Sequence, residues 1–141
     1  MFTFGREHEL KCALNHIGNE EKARPLLNVI DLVHDVVEGN GNKDELIKSL
    51  KVALVEGSSG VWESAGCWLK KLGKEDQDYL SIWLELTNHP KSTVRFRVAS
   101  FVGDMPTDIG QQVFSVLSKD ESKKVREHVA GKWEFIKGND H

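Results

Sequence analysis

Histidine and cysteine are the first residue types to consider as metal ligands or nucleophiles in this chain. Within its 141 residues are two cysteines and six histidines, which are His8, His16, His34, His89, His128 and His141. The nearest approach to a metal-binding spacing is Glu85 with His89, one helical turn apart, and two ligands do not complete a zinc site. The chain has no HxxxH or HExxH motif and no Gly-rich phosphate-binding motif. We therefore expect no metal, no cofactor and no catalytic centre.

The two cysteines, Cys12 and Cys67, lie beside apolar residues at helical spacing, which predicts small thiols in or near the core. The sequence offers neither a local base nor an oxyanion pattern that would make either one a nucleophile. The cysteines form no CxxC pair and cannot support a disulfide framework. The N-terminal residues lack a basic segment followed by an apolar run, and no apolar run reaches the roughly 18 residues of a membrane helix. We therefore expect a cytoplasmic protein without membrane contact.

A Val-Arg pair is the other recurring feature, and it occurs in two segments that lie 31 residues apart. These segments are 94–99, with the sequence VRFRVA, and 125–130, with the sequence VREHVA. Helices must position the arginines, because Gly, Asn and Pro divide the chain into segments whose apolar residues recur at helical spacing. No segment alternates with period two for long enough to form a strand, so the sequence predicts an all-α fold. The predicted helices are 5–17, 22–38, 43–56, 59–72, 75–88, 91–104, 107–118 and 121–136.

The predicted helices repeat as pairs with a period of 31 to 33 residues. Leu86 recurs as Leu117 at an offset of 31, and Val61 recurs as Val94 at an offset of 33. Stacked pairs of this length bury their apolar faces against their neighbours. We therefore expect one domain over 1–141, a short α-solenoid of about four helix pairs. The expected pairs are 5–38, 43–72, 75–104 and 107–136.

The runs 89–95 (HPKSTVR) and 120–126 (DESKKVR), each followed by small residues, resemble the second half of a HEAT repeat. In the first two copies Ile30 and Trp62 fill the arginine position, so those copies share only the period with the family pattern. The resemblance implies a right-handed α-α superhelix, and arrays of this family mostly bind macromolecules.

The resemblance also assigns a structural role to the two arginines. In a HEAT-like stack the residue after the Val lies between layers and bonds to a turn acid or carbonyl of the adjoining layer. For Arg95 and Arg126 we expect Asp120 and Asp104 as partners. A contact with phosphate or substrate is the alternative.

The outward faces of the second helices are the predicted binding surface, because in HEAT-like arrays those helices line the concave side. At about 100° per residue, the face opposite the core carries mostly acids and an aromatic ring near its centre. Cys67, Gly103, Lys123 and Gly131 share this face. A merely solvated polar face is the alternative interpretation. The partner-binding candidates are Asp31, Asp35, Glu38, Glu63, Lys70, Phe96, Ser100, Glu127 and Glu134.

The charge of the chain agrees with an acidic binding face. There are 22 acidic and 19 basic residues, a net charge of −3. Residues 1–88 hold 15 acids and 10 bases, whereas 89–141 hold 7 acids and 9 bases. A basic partner would therefore be steered towards the first repeats. An acidic face opposes nucleic-acid binding, which depends on neutralising phosphates.

These features predict a non-enzymatic protein-binding module, monomeric alone, that binds a basic protein partner. Small, acidic, stand-alone helical proteins of this kind look like bacterial immunity proteins, which block a toxin, often a basic nuclease. One alternative is a scaffold subunit of a larger complex. Another is a HEAT-like nucleic-acid-binding protein related to base-excision glycosylases. Its contacts would be Lys91, Arg95, Arg97, Lys123, Lys124, Arg126 and Lys132.

Overall fold

The computed structural model describes the backbone of residues 4–139 and the side chains of residues 4–134, and every long regular element within them is an α-helix. The all-α fold class is confirmed, and within each of the two units described below neighbouring helices pack against each other, consistent with a solenoid-like arrangement. The eight α-helices of the described chain are α1 Arg6–Ile17, α2 Glu20–Val37, α3 Lys43–Glu56, α4 Ser59–Glu75, α5 Ser81–Thr87, α6 Ser92–Ser100, α7 Thr107–Leu117 and α8 Lys123–Asn139. Short 3-10 helices, Gln77–Leu80 and Val102–Asp104, precede α5 and follow α6.

The two 3-10 helices mark where the predicted helices 75–88 and 91–104 differ from the structure. In the first, the Asp76 side chain accepts a hydrogen bond from the amide of Asp78 at 2.9 Å and begins a 3-10 turn before α5. In the second, α6 ends because Phe101 leaves the helical region, with φ −104° and ψ 5°. The spacing of apolar residues does not indicate such local hydrogen bonds or dihedral angles, so it could not predict the 3-10 turns.

Helix α2 also begins earlier than the predicted residue 22. Asn19 caps it, because its side chain accepts a hydrogen bond from the amide of Lys22 at 2.9 Å. This cap lets the helix begin at Glu20, and Pro25 then lies inside the helix near its start. Pro25 has no backbone N–H to donate within the helix, but the Asn19 cap stabilises the turn of α2 that precedes it.

The chain divides into two compact units, Met1–Leu72 and Gly73–His141, with the boundary in the last turn of α4. A single domain over 1–141 stays a prediction. In the first unit α2 packs against both α1 and α3. Helix α2 buries seven residues along one broad face, whereas α1 has no fully buried residue. The buried apolar residues of this unit are Ala23, Leu26, Leu27, Val29, Ile30, Val33, Leu46, Leu50, Ala53, Leu54, Val61, Ala65, Leu69 and Leu72.

The second unit has the stacking expected of two successive helix pairs. Helix α5 packs against α6 and α7 packs against α8, while α5 also packs on α7 and α6 on α8. First helices therefore stack on first helices, and second helices on second helices. Trp83 of α5 is almost fully buried and its ring lies 5.1 Å from that of Phe101.

A buried ion pair joins the two helix pairs of the second unit. Arg95 on α6 donates from Nε to Asp120 Oδ2 at 2.7 Å and from Nη2 to Asp120 Oδ1 at 3.2 Å. Its Nη1 donates to the carbonyls of His89 and Pro90, at 2.8 and 3.0 Å. The two side chains are only 9% and 6% exposed. The structure thus brings together Arg95 and Asp120, as the resemblance to HEAT repeats implied, and it gives the guanidinium four oxygen acceptors within 3.2 Å.

Arg126 repeats part of this geometry one copy later. Its Nη1 donates to the carbonyl of Asp120 at 2.6 Å, six residues earlier, just as Arg95 donates to His89. In both copies the side chain of the turn residue accepts a hydrogen bond from the backbone amide two residues later. His89 accepts from Lys91, and Asp120 accepts from Ser122. The repeat is therefore present in hydrogen bonds as well as in sequence. Asp104, the other predicted partner, is exposed in the second 3-10 helix.

The environment of Asp120 favours its ionised form. Burial alone would raise the pKa of Asp120, but hydrogen bonds from Arg95 and from the amide of Ser122 outweigh burial, so the pKa lies below its usual range. The unfolded chain therefore binds this proton more readily than the folded chain. The resulting stabilisation is present above about pH 4 and is lost as the pH falls through the lower folded-state pKa.

We expect Asp120→Asn to destabilise the chain by about 3 kcal/mol or more, because it removes the buried counter-charge of the Arg95 guanidinium. Urea unfolding followed by circular dichroism measures the loss. The matched control is Glu121→Gln, which removes a carboxylate that is 88% exposed and 3.5 Å from Arg95. It should cost less than about 1 kcal/mol. Equal losses in the two variants, or an unchanged acid limb of the stability curve in Asp120→Asn, would contradict this account.

Candidate functional site

Three carboxylates lie together on one side of α2. Asp31, Asp35 and Glu38 follow one another at spacings of four and three residues, which places them on one helix face. The guanidinium of Arg6 lies among them. Its Nη1 is 3.7 Å from Asp31 Oδ1, and its Nη2 is 2.6 Å from Asp35 Oδ1 and 3.3 Å from Glu38 Oε2. We call these three carboxylates the arginine-binding face.

The arginine-binding face is open to water. The carboxylate side chains are 45%, 37% and 54% exposed in chain order, and Arg6 is 31% exposed. Arg6 contacts one oxygen of each carboxylate, so the second oxygen of each remains as an acceptor for another donor. The hydrogen bond to Asp35 raises the pKa of Arg6, with smaller contributions from the charges of Asp35, Glu38 and Asp31.

Helix α1 covers part of the surface that the helical angles predict to be free. Besides Arg6, Glu9 of α1 approaches α2, with its Oε1 3.6 Å from His34 Nε2. His34 stands between Asp31 and Glu38 on the same helix face and is buried. The side of α2 that faces α1 is therefore closed at His34, whereas the three predicted carboxylates beside it remain partly exposed. The reason is that α1 packs along α2 on this side.

The other candidates of the first unit lie on α4. Glu63 is exposed and accepts a hydrogen bond from Ser59 Oγ at 3.2 Å, within its own helix. Lys70 is half-buried and Cys67 is exposed. The outward orientation predicted for Glu63 and Cys67 agrees with their exposure, but Asp31, Asp35 and Glu38 are the candidates that the structure joins into one constellation.

In the second unit, Phe96 is not the free aromatic anchor that the helical angles predict. The ring is half-buried and stacks on His128 of α8, with centroids 4.1 Å apart and an interplanar angle of 11°. Ser100 Oγ lies 2.8 Å from His128 Nε2 and also donates to the carbonyl of Phe96. The prediction was wrong here because α6 and α8 pack side by side, so one face of the ring is covered.

The remaining predicted residues of the second unit are exposed. Glu127 pairs with Lys123 one turn earlier, at 3.7 Å, and Glu134 is exposed near the end of the described side chains. A cavity of about 400 Å³ is lined by Glu127, His128, Gly131 and Lys132. Burial of His128, together with the charge of Lys132, holds the pKa of its imidazole below the ordinary value.

Both cysteines are exposed, which corrects the prediction of thiols in or near the core and, for Cys67, agrees with its predicted place on the outward face of α4. Cys12 Sγ lies 3.4 Å from His8 Nε2, so the local base that the sequence did not reveal is present one turn away. The i, i+4 spacing of His8 and Cys12 was the signal that could have found it. The pair lines a cavity of about 430 Å³ between α1 and α4, with Trp68 and Lys71 on the α4 side.

The charges divide almost evenly when they are counted over the two structural units. The first unit has 11 acids and 9 bases, and the second has 11 acids and 10 bases. The contrast between 1–88 and 89–141 therefore does not correspond to the structural units. Attraction for a basic partner must come from a local cluster, and the arginine-binding face is such a cluster.

Among the side chains that the structure describes, no group of three or more His, Cys, Asp or Glu residues could hold a metal ion. The described helices include none that is long and apolar enough to span a membrane. No family model, curated protein or solved structure matches the chain. The likeness to HEAT repeats therefore remains a resemblance in repeat pattern.

Because both cysteines are exposed, both thiols of the folded chain should react with an aromatic disulfide reagent without denaturant. Cys12 should react faster, since His8 can accept the thiol proton. Stopped-flow absorbance on Cys12→Ser and Cys67→Ser resolves the two rates, and His8→Gln should slow only Cys12. A folded chain that releases fewer than two equivalents of the reagent's thiol would contradict the exposed placement.

The midpoint of His128 in an NMR pH titration should lie below the ordinary pKa of about 6.5 for histidine. The folded chain then binds this proton less readily than the unfolded chain, so stability falls as the pH drops below about 6.5. Lys132→Gln should raise the midpoint, because it removes one of the two causes of the lowered pKa. A midpoint at or above 6.5, or one unmoved by Lys132→Gln, would contradict the assignment.

Proposed function

We propose that this chain is a non-enzymatic, cytoplasmic protein-binding module whose arginine-binding face takes a basic segment of a protein partner. The observation that carries the proposal is the convergence of Asp31, Asp35 and Glu38 on one guanidinium. A cluster that already binds an arginine of its own chain has the geometry to bind a basic side chain of another. Exposure of all three carboxylates leaves them accessible to such a partner.

The specific candidate is an immunity protein that neutralises a toxin, with a basic nuclease as the toxin class. Size, acidic balance and helical architecture support this assignment. An acidic face is complementary to a nuclease surface that binds phosphates, and such complementarity speeds association. A scaffold subunit of a larger complex is the remaining protein-binding alternative. It differs in that its partner would have no toxic activity to inhibit.

Two of the cations proposed to contact phosphate already make hydrogen bonds within the chain, which disfavours binding of nucleic acid. Arg95 is buried in its pair with Asp120, and Arg126 donates to the carbonyl of Asp120. A phosphate contact by Arg95 would require breaking a buried ion pair. Exposed lysines such as Lys123 and Lys124 remain, but acids including Glu121 and Glu127 lie beside them in sequence.

Fluorescence anisotropy with a labelled oligo-arginine peptide tests the proposal. The combined variant Asp31→Asn, Asp35→Asn, Glu38→Gln should weaken binding on the order of ten-fold at low salt, because three exposed charge contacts are lost. The difference should shrink as salt screens the charges.

A matched control variant combines Glu21→Gln, Glu45→Gln and Glu56→Gln, which removes the same charge from exposed positions of the first unit. It should keep most of the affinity. An equal loss in this control, or no binding of the peptide to the unaltered chain, would contradict the proposed function.

Retention of a labelled DNA duplex with a steep salt dependence would favour the nucleic-acid alternative instead. Inhibition of a co-purifying basic nuclease would support the immunity assignment, and an inert co-purifying partner would favour the scaffold.

A further inference from the structure

The arginine-binding face is already occupied by an arginine of the same chain. Both amino groups of the Arg6 guanidinium are used, Nη1 towards Asp31 and Nη2 towards Asp35 and Glu38. The contact joins residues 25 to 32 positions apart in sequence, so it depends on the packing of α1 against α2. A basic segment of a partner would meet Arg6 before it could bind the carboxylates fully.

Two observations make Arg6 replaceable. It is the first residue of α1, so its side chain can leave the face without opening a turn inside the helix. Its contacts are also open to water, and exposed ion pairs contribute little to stability. Arg95 provides the contrast, because its guanidinium is buried with four oxygen acceptors within 3.2 Å and cannot be exchanged at small cost.

The geometry also selects the kind of cation. The carboxylates stand one helical turn apart, and a planar guanidinium reaches them with different nitrogens at the same time. A lysine ammonium is a compact point charge and lacks this fork. An arginine should therefore bind this face better than a lysine of equal charge.

We propose, resting on the proposed function, that Arg6 is an intramolecular competitor: an arginine of the partner replaces it on Asp31, Asp35 and Glu38, and the face selects guanidinium over ammonium. A partner then binds this face only if its contacts with the carboxylates are stronger than those of Arg6. A partner that offers a single lysine does not displace it, whereas a segment with several arginines does.

The test compares Arg6→Gln with the matched control Arg24→Gln. Arg24 also lies in the first unit and carries the same charge, but it pairs with Glu20 within α2, at 2.6 Å. The probes are labelled oligo-arginine and oligo-lysine peptides of equal length, measured by anisotropy at low and moderate salt. Arg6→Gln should tighten oligo-arginine binding by about two- to five-fold, the range expected for one exposed ion pair. Arg24→Gln should change it clearly less, and the unaltered chain should prefer oligo-arginine.

The outcomes separate this inference from the proposed function. If the unaltered chain and Arg6→Gln both fail to bind oligo-arginine, the proposed function fails. If the triple carboxylate variant loses binding but Arg6→Gln and Arg24→Gln behave alike, the proposed function stands and the competitor role of Arg6 is overturned. Equal affinity for oligo-arginine and oligo-lysine overturns the selectivity.

A second measurement does not depend on affinity. The side-chain Nε–H resonance of Arg6, assigned by its loss in Arg6→Gln, can be followed in the isotopically labelled chain while unlabelled oligo-arginine is added. It should move towards the position of free arginine as the peptide binds, while the resonance of Arg95 stays in place. A saturated complex in which the Arg6 resonance is unmoved overturns the proposal. Circular dichroism checks that each variant keeps its helices.

Discussion

A guanidinium group leaves bulk water only where oxygen atoms accept from its donors, and this constraint shapes both units of the chain. Arg95 is buried because two carbonyls and the two carboxylate oxygens of Asp120 surround it. That arrangement holds α6 against the turn before α8, and α6 also packs along α8 itself. Arg6 meets three carboxylates but keeps contact with water, so the same chemistry produces a replaceable contact.

The helices could be predicted because they depend on short-range, periodic information, whereas the Arg95–Asp120 pair was expected only from the resemblance to HEAT repeats. Apolar spacing and Gly or Asn punctuation define a helix within its own segment. Asp120 was expected as a partner because the resemblance to HEAT repeats places a turn acid of the adjoining layer beside the arginine that follows the Val. The start of α2 was placed too late, because apolar spacing does not register the cap that Asn19 provides.

The surroundings of the candidate residues were harder to predict, because a helical angle gives a direction from one axis and does not say which neighbour lies there. Phe96 points away from its own core, yet His128 of α8 covers one face of its ring. The acids of α2 point outward as predicted, yet α1 runs along that side and places Arg6 among them. Binding surfaces of helical repeats therefore depend on how each helix packs on the next, which periodicity does not encode.

The Arg95–Asp120 pair has a consequence for how sequences of this architecture can change. Loss of either member alone leaves a buried charge unmatched, whereas replacing both by apolar residues of similar volume can be neutral. Substitutions at these two positions should therefore be correlated over evolutionary time, although 25 residues separate them. By contrast, Arg6 can be lost alone without leaving a buried charge. An alignment of divergent sequences should accordingly show joint change at 95 and 120 and independent change at 6.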